Sequence, residues 1–343
     1  MAKGSRPPPG PSKTKGGRVP RLSKAKPNEP AEPLRLGPIV TEGSSRVLVG
    51  TCSWTDATLV KETGWYPRPS MSAAERLAFY AARYPIAEAD STYYFPPSEQ
   101  LTRSWAERTP AGFTMNVKAY SLLTGHPTRP NSLWADLRSA VLPEAQGKPN
   151  LYATHLDPDA LEEAWYRFAF ALRPLQTAGR LGAVLMQYPT WFTPKRTNRE
   201  ELARVRERLG GLRVCVEFRS PKWLEADDLD RTLGLLAENQ LTLVVVDAPS
   251  IAKLPSVAAV TTEELAVVRF HGRAEDTWKA RTTSAAERFR YLYRPDELAG
   301  WVPRLRELSA QAAEVHALMN NCYQDYGVRN AADLQELLLA DAS

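Results

Sequence analysis

The sequence predicts an α/β fold, a closed (β/α)8 barrel of parallel strands with helices outside. Three observations predict it. Strand-length apolar runs alternate about eight times with stretches carrying apolar residues at helical spacing. The alternating part spans roughly 300 residues, a size that suits such a barrel. Polar residues gather where the strands end, whereas the strand beginnings are mostly Val, Leu and Ala. The main rival is a doubly wound open sheet. The turn after the first strand, Gly50-Thr51-Cys52-Ser53-Trp54, lacks the glycines of a dinucleotide-binding loop, which favours the barrel.

Residues 1–40 are rich in Pro, Gly, Ser and Lys without an apolar period. They predict a disordered basic tail ahead of one domain at 41–343. The first strand is Arg46 to Thr51. Ser72-Ala73-Ala74-Glu75 has the form of a capping box, opening a helix with Leu77, Tyr80 and Ala81 on one side. The second strand starts at Ile86 and places Glu88, Asp90 and Thr92 on one face. A helix from Ser98 to Arg108 carries Leu101 and Trp105 one turn apart. The third strand, Phe113 to Lys118, sets Thr114, Asn116 and Lys118 on one face. Residues 119–157 then form a connection long enough to be functional or disordered. Asp157 caps, and Pro158 starts, a helix carrying Leu161, Ala164, Trp165, Phe168 and Leu172. Leu181 to Gln187 is the fourth strand, and an Arg- and Glu-rich helix covers 198–209. Val214 to Arg219 is the fifth, with Cys215, Glu217 and Arg219 sharing a face. Asp228 caps a helix bearing Leu229, Leu233 and Leu236. Leu241 to Asp247 is the sixth strand. Ala266 to His271 is the seventh, with Arg269 and His271 on one face. A helix with Trp301, Leu305 and Leu308 precedes the eighth strand, Val315 to Asn320. A last helix carries Leu334, Leu337 and Leu338.

Composition narrows the function classes. With 343 residues, 43% apolar and 24% charged, the chain can bury a large core. The formal net charge of +5 is local in origin. Residues 1–36 hold nine Lys and Arg against two Glu, so the remaining chain is near neutral. Such a tail suits contact with nucleic acid or another acidic surface, and equally a solvated extension. Cys52, Cys215 and Cys322 are few, odd in number and widely spaced, which fits a reducing cytoplasm and no structural zinc. No apolar run reaches membrane-spanning length, so no membrane partner is expected.

The strand-end residues carry the candidate chemistry, because catalytic groups of such barrels sit at the C-terminal rim. Glu88, Glu217, Asp247 and His271 could hold a divalent metal through oxygen and imidazole ligands. Alternatively Glu217 or His271 acts as a general base, while Lys118, Arg219 and Arg269 neutralise an anionic substrate. Each residue also has a plain structural reading. Asp247 fits a helix cap or turn, His271 a loop histidine, Glu217 with Arg219 an ion pair, and Lys118 a chain reaching for solvent. Trp54, Trp65, Trp191, Trp223 and Trp278 fall in expected rim loops, where they stack on a ligand or simply fill the core.

Several segments together resemble one family. They are Gly50-Thr51-Cys52-Ser53-Trp54, Glu88-Ala89-Asp90-Ser91-Thr92-Tyr93-Tyr94 with Pro97-Ser98-Glu99, and Phe113 to Lys118. Gln187-Tyr188-Pro189, Val216-Glu217-Phe218-Arg219 with Trp223, Arg269-Phe270-His271-Gly272, and Asn320-Asn321-Cys322-Tyr323 complete the set. They resemble the domain-of-unknown-function 72, or YecE-like, family, across roughly residues 46–340. Asp90 stands where Asn is expected in the acidic-strand motif. The resemblance implies a TIM-barrel-like fold and supplies no agreed reaction.

The resulting expectation is an enzyme acting on a small anionic or sugar-like substrate, with metal-assisted hydrolysis or isomerisation favoured. Glu217, His271, Lys118 and Asp247 are the catalytic candidates. Glu88, Asp90, Thr92, Arg219, Arg269, Asn320 and Trp54 are the substrate-binding candidates. The alternative is a non-catalytic nucleic-acid- or protein-binding module that uses the basic tail.

Overall fold

A computed structural model describes residues 37–41, 44–278 and 285–341. The tail expected at 1–40 lies outside these residues up to position 36. Ile39–Val40, assigned to that tail from sequence, instead form a short strand, β1. Ile39 is buried, and both residues pair antiparallel with β2 (Arg46–Thr51).

The other strands follow in chain order: β3 (Ile86–Ala89), β4 (Thr114–Lys118), β5 (Leu181–Tyr188), β6 (Val214–Phe218), β7 (Leu241–Asp247), β8 (Ala266–Phe270) and β9 (Glu314–Met319). From β2 to β9 each pairs in parallel with the next, and β9 pairs back onto β2. The sheet is therefore a closed barrel of eight parallel strands, as the alternation predicts. Closure removes both open edges, which leaves no unpaired ladder to cap.

Outside the barrel lie α1 (Ala73–Ala81), α2 (Glu99–Arg108), α3 (Pro158–Ala171), α4 (Arg196–Arg208), α5 (Ala226–Glu238), α6 (Val302–Ser309) and α7 (Tyr326–Ala340). Their starts follow local chemistry. Ser72 Oγ accepts from the Glu75 amide at 3.2 Å, while Glu75 Oε2 accepts from the Ser72 amide at 2.7 Å. This capping box satisfies two amides that no helical carbonyl can reach. Asp157 caps α3, and Pro158 takes its first position. Asp228, expected as a cap, lies inside the first turn of α5, whose cap position is Glu225. Asp228 instead pairs with Arg199 of α4 at 2.5 Å. In α2 the inward side is Thr102 and Trp105, and Leu101 is exposed. The Thr102 hydroxyl meets the Ala171 carbonyl oxygen at 2.5 Å.

Two apolar layers result. The larger fills the space between strands and helices, with Val49, Phe168, Val216, Leu305 and Leu334 among its members. Each such fully buried side chain contributes about 1.5–3 kcal/mol. The smaller layer fills the lumen with Leu48, Ile86, Leu185, Cys215, Val244, Val267 and Leu318. Residues 119–157 are ordered as a run of single 3-10 turns. Reciprocal backbone bonds between Thr128 and Leu151 (2.8 and 2.7 Å) pin them, and Leu122, Leu133, Leu151 and Leu156 anchor them in the outer core. No helix among the described residues is long and apolar enough to cross a membrane.

Candidate active site

Strand side chains alternate between lumen and helical layer, so the polar set follows from the apolar one. Two residues beyond Ile86 is Glu88, and beyond Leu185 is Gln187. Beyond Cys215 come Glu217 and Arg219, beyond Val267 come Arg269 and His271, and beyond Leu318 comes Asn320. The apolar plug fills the lower lumen, and these groups cover it at the C-terminal end.

Arg269 is the hub. It is 1% exposed, with Nη1 2.5 Å from Glu217 Oε2 and Nη2 2.7 Å from Glu88 Oε1. Nη2 also reaches Asn320 Oδ1 at 3.5 Å. That contact orients the Asn320 amide so that its Nδ2 donates to His271 Nδ1 at 2.7 Å. On its other side the imidazole Nε2 faces both Glu217 Oε1 and Arg219 Nη2, each at 3.3 Å. Arg269, Asn320, His271 and Glu217 thus close a ring of polar contacts. Arg219 flanks it, with Nε 2.6 Å from Glu217 Oε1 and Nη2 3.1 Å from Gln187 Oε1.

The charges follow from this geometry. Burial alone would raise Glu217, but Arg219, Arg269 and His271 outweigh it and hold the carboxyl well below its usual range. Burial pushes Glu88 up against the pull of Arg269 and Lys118. Glu88 Oε2 is buried without a hydrogen-bond partner among the described residues. Burial and then Arg219 push His271 down to about 3, so it stays neutral at physiological pH.

Above this layer opens a cleft of about 430 Å³. Asp90, Lys118, Gln187, Arg219, Arg269, Arg288 and Asn320 form its polar lining; Tyr93, Tyr94, His126, Trp191, Trp278 and Phe289 form its aromatic walls. Asp90 caps nothing with its side chain, and no described residue donates to its carboxylate. Burial raises it to about 6, against the opposing effect of Lys118. The Lys118 ammonium lies 4.6 Å from the centre of the Tyr93 ring and makes no ion pair with a described residue. Burial, and then the charge of Arg269, lower its pKa. Thr92 lies beneath, its hydroxyl 2.5 Å from the Lys118 carbonyl oxygen and 2.9 Å from that of Ala89. It ties the β3 turn to β4 and so positions both cleft-facing groups.

Two expected site residues are not brought here. Val244 and Val246 take the lumen side of β7, so Asp247 faces the helical layer. There it accepts from Arg273 (2.9 and 2.5 Å), Tyr293 (2.9 Å) and Trp301 (2.6 Å). Trp54 is buried edge-on against Trp105, with ring centres 5.9 Å apart. The proposed metal ligands Glu88, Glu217, Asp247 and His271 therefore do not fit a metal. The two glutamates are held by one arginine, the imidazole nitrogens face Asn320 and Glu217, and Asp247 is elsewhere. Among the described residues no three His, Cys, Asp or Glu side chains converge as ligands. Sequence reasoning missed His126, Arg288 and Phe289. Only the unusual length of the 119–157 segment marked the neighbourhood of His126.

Comparison with known proteins agrees with this architecture. The model of the family described as protein of unknown function DUF72 matches residues 48–343. The UPF0759 protein YunF of Bacillus subtilis is 28% identical over 297 residues, which cover 85% of this chain and 94% of YunF. A DUF72 family protein of Thermotoga maritima has a similar crystal structure: TM-score 0.66, 29% identity, 85% of this chain and 99% of that one. One of Enterococcus faecalis matches at TM-score 0.68 and 24% identity, covering 85% and 95%. With the family match running through every barrel strand from β2 to β9, the chain belongs to the DUF72 family.

Proposed function

We propose that the protein is an enzyme that moves a proton within a small anionic substrate, an isomerisation, at the C-terminal cleft. One observation carries the reading: Asp90 and Lys118 both face the cleft, and neither is held by an ion pair or a side-chain hydrogen bond to a described residue. An acid near pKa 6 beside a depressed amine can change protonation state during turnover near neutral pH. Asp90 removes a proton from one substrate atom and returns it to the neighbouring one. Lys118 and Arg219 hold the negative charge that develops between the two steps. Glu217 and His271 act as positioning residues that fix Arg219 and Arg269. Hydrolysis, with Asp90 activating water, uses the same groups. The cytoplasm suits the three free thiols of Cys52, Cys215 and Cys322. Contact of the basic residues 1–36 with nucleic acid is a separate reading, supported by their charge excess.

The test is incubation with a panel of sugar phosphates in D2O, followed by proton NMR. Wild type is expected to exchange deuterium into one substrate carbon, and Asp90→Asn is not. A ligand that binds and is neither exchanged nor converted reduces the cleft to a binding site.

A further inference from the structure

The cleft has a polarity that the proposed reaction does not use. Two of its cations lie deep: Arg269 is 1% exposed and the Arg219 side chain 14%, whereas Arg288 is exposed. Two of its aromatic rings stand at the mouth, where Trp191 is 57% exposed and Tyr94 58%. Exposed aromatic rings cost solvation unless something covers them, and two at the mouth of one charged cleft is not ordinary surface. Trp191 meets His126 only edge-on, at 6.0 Å and 66°, and Tyr94 meets Tyr93 edge-on at 5.1 Å and 90°.

The lining carries four cations, Lys118, Arg219, Arg269 and Arg288, against one carboxylate, Asp90. Counting Glu88 and Glu217 behind the floor still leaves an excess of one positive charge. Trp278 links the two zones. The Arg219 guanidinium lies 5.7 Å from its ring centre, and Phe289 meets it edge-on at 5.9 Å and 71°. A ring held at the mouth thus has its charged substituent directed at Arg219 and Lys118. The volume of about 430 Å³ lies in the ordinary range of small-molecule sites, roughly 300–1,000 Å³.

We infer that the ligand of this cleft joins an anionic group to a flat aromatic ring, at the size of a nucleoside monophosphate, with the anion deep and the ring stacked at the mouth. The inference rests on the reading of the cleft as an anion site and adds the ring. A flat ring covers an exposed aromatic face such as that of Trp191 more completely than a puckered sugar does. Stacking of a base on an aromatic side chain is worth enough to change affinity about tenfold or more.

Calorimetric titration of the full-length chain with inorganic phosphate, ribose 5-phosphate, nucleosides and nucleoside 5′-monophosphates tests it. A nucleoside monophosphate is expected to bind about tenfold or more tighter than ribose 5-phosphate. Trp191→Ala, at an exposed position where folding is not at stake, should abolish that advantage and leave ribose 5-phosphate unchanged. Lys118→Met should weaken every anion and leave the uncharged nucleoside unchanged. Equal binding of ribose 5-phosphate and the nucleotide, indifferent to Trp191→Ala, overturns the ring and leaves the anion site standing. Binding of the nucleoside as tight as the nucleotide, or no binding by any compound, overturns both.

Discussion

Asp90 combines partial access to the cleft with loss of hydration, and this has a measurable consequence. Its folded pKa of about 6 lies above the ordinary aspartate value of 3.8. A raised pKa means that the folded state holds the proton more tightly than the unfolded one. The stability so contributed is full below about pH 4 and is lost as pH rises through about 6. Asp90→Asn imitates the protonated form permanently. Its melting temperature is expected to match wild type at acid pH and to exceed it at pH 8. A variant that melts lower at pH 8 would show that the carboxylate stabilises Lys118 instead. Glu217 should behave in the opposite sense. Glu217→Gln leaves Arg219 without its carboxylate and Arg269 with only Glu88. Urea unfolding is expected to show a loss of roughly 3–5 kcal/mol, the range for a broken buried ion pair. A loss below about 1 kcal/mol would return Glu217 to the candidates for direct chemistry.

At the scale of elements, spacing decided what was legible. Glu88, Lys118, Glu217, Arg269, His271 and Asn320 were readable because each lies on the lumen side of an apolar strand. Asp247 shares their strand-end position and their chemistry, but falls one residue out of phase with Val244 and Val246. A run of consecutive valines hides the phase, so the pattern of β7 could not reveal it. Glycines were similarly opaque. Gly50 was informative in sequence only as part of a loop lacking other glycines, whereas its structural reason is strand proximity. A Cβ at Gly50 would lie 2.0 Å from the Ile86 carbonyl oxygen. One at Gly182 would lie 2.3 Å from Asn116 Oδ1, a side-chain atom rather than backbone, which accepts from the Ala183 amide. Gly182→Ala is therefore expected to cost about 1–3 kcal/mol by overpacking. Gly50→Ala should cost more, because only a shift of β2 against β3 relieves the contact. Denaturant titration of the two variants ranks them, and the reverse order would refute the argument.

For the whole molecule, strand–helix alternation was enough to reveal the barrel, since parallel neighbours need crossovers and closure needs eight of them in register. The cleft was only half legible. Its floor comes from strands, which carry a period, whereas His126, Trp191 and Phe289 come from loops, which carry none. The N-terminal segment shows the same contrast. Residues 1–36 have no apolar period to bury, so their removal is expected to shift the melting temperature by less than about 2 °C. A larger drop, read by calorimetry on the truncated chain, would show that they contribute to folding.

The ring of Arg269, Asn320, His271 and Glu217 spans three strands, and Glu88 and Arg219 brace it from outside. Loss of one member loosens its neighbours in the ring, so a second loss adds less than the first. Substitutions here should be strongly sub-additive in pairs, and an apolar replacement of all four could be milder than most single changes. For a lineage drifting by single steps, that makes the four positions one inherited character. They persist together, or are exchanged together through intermediates that scarcely fold.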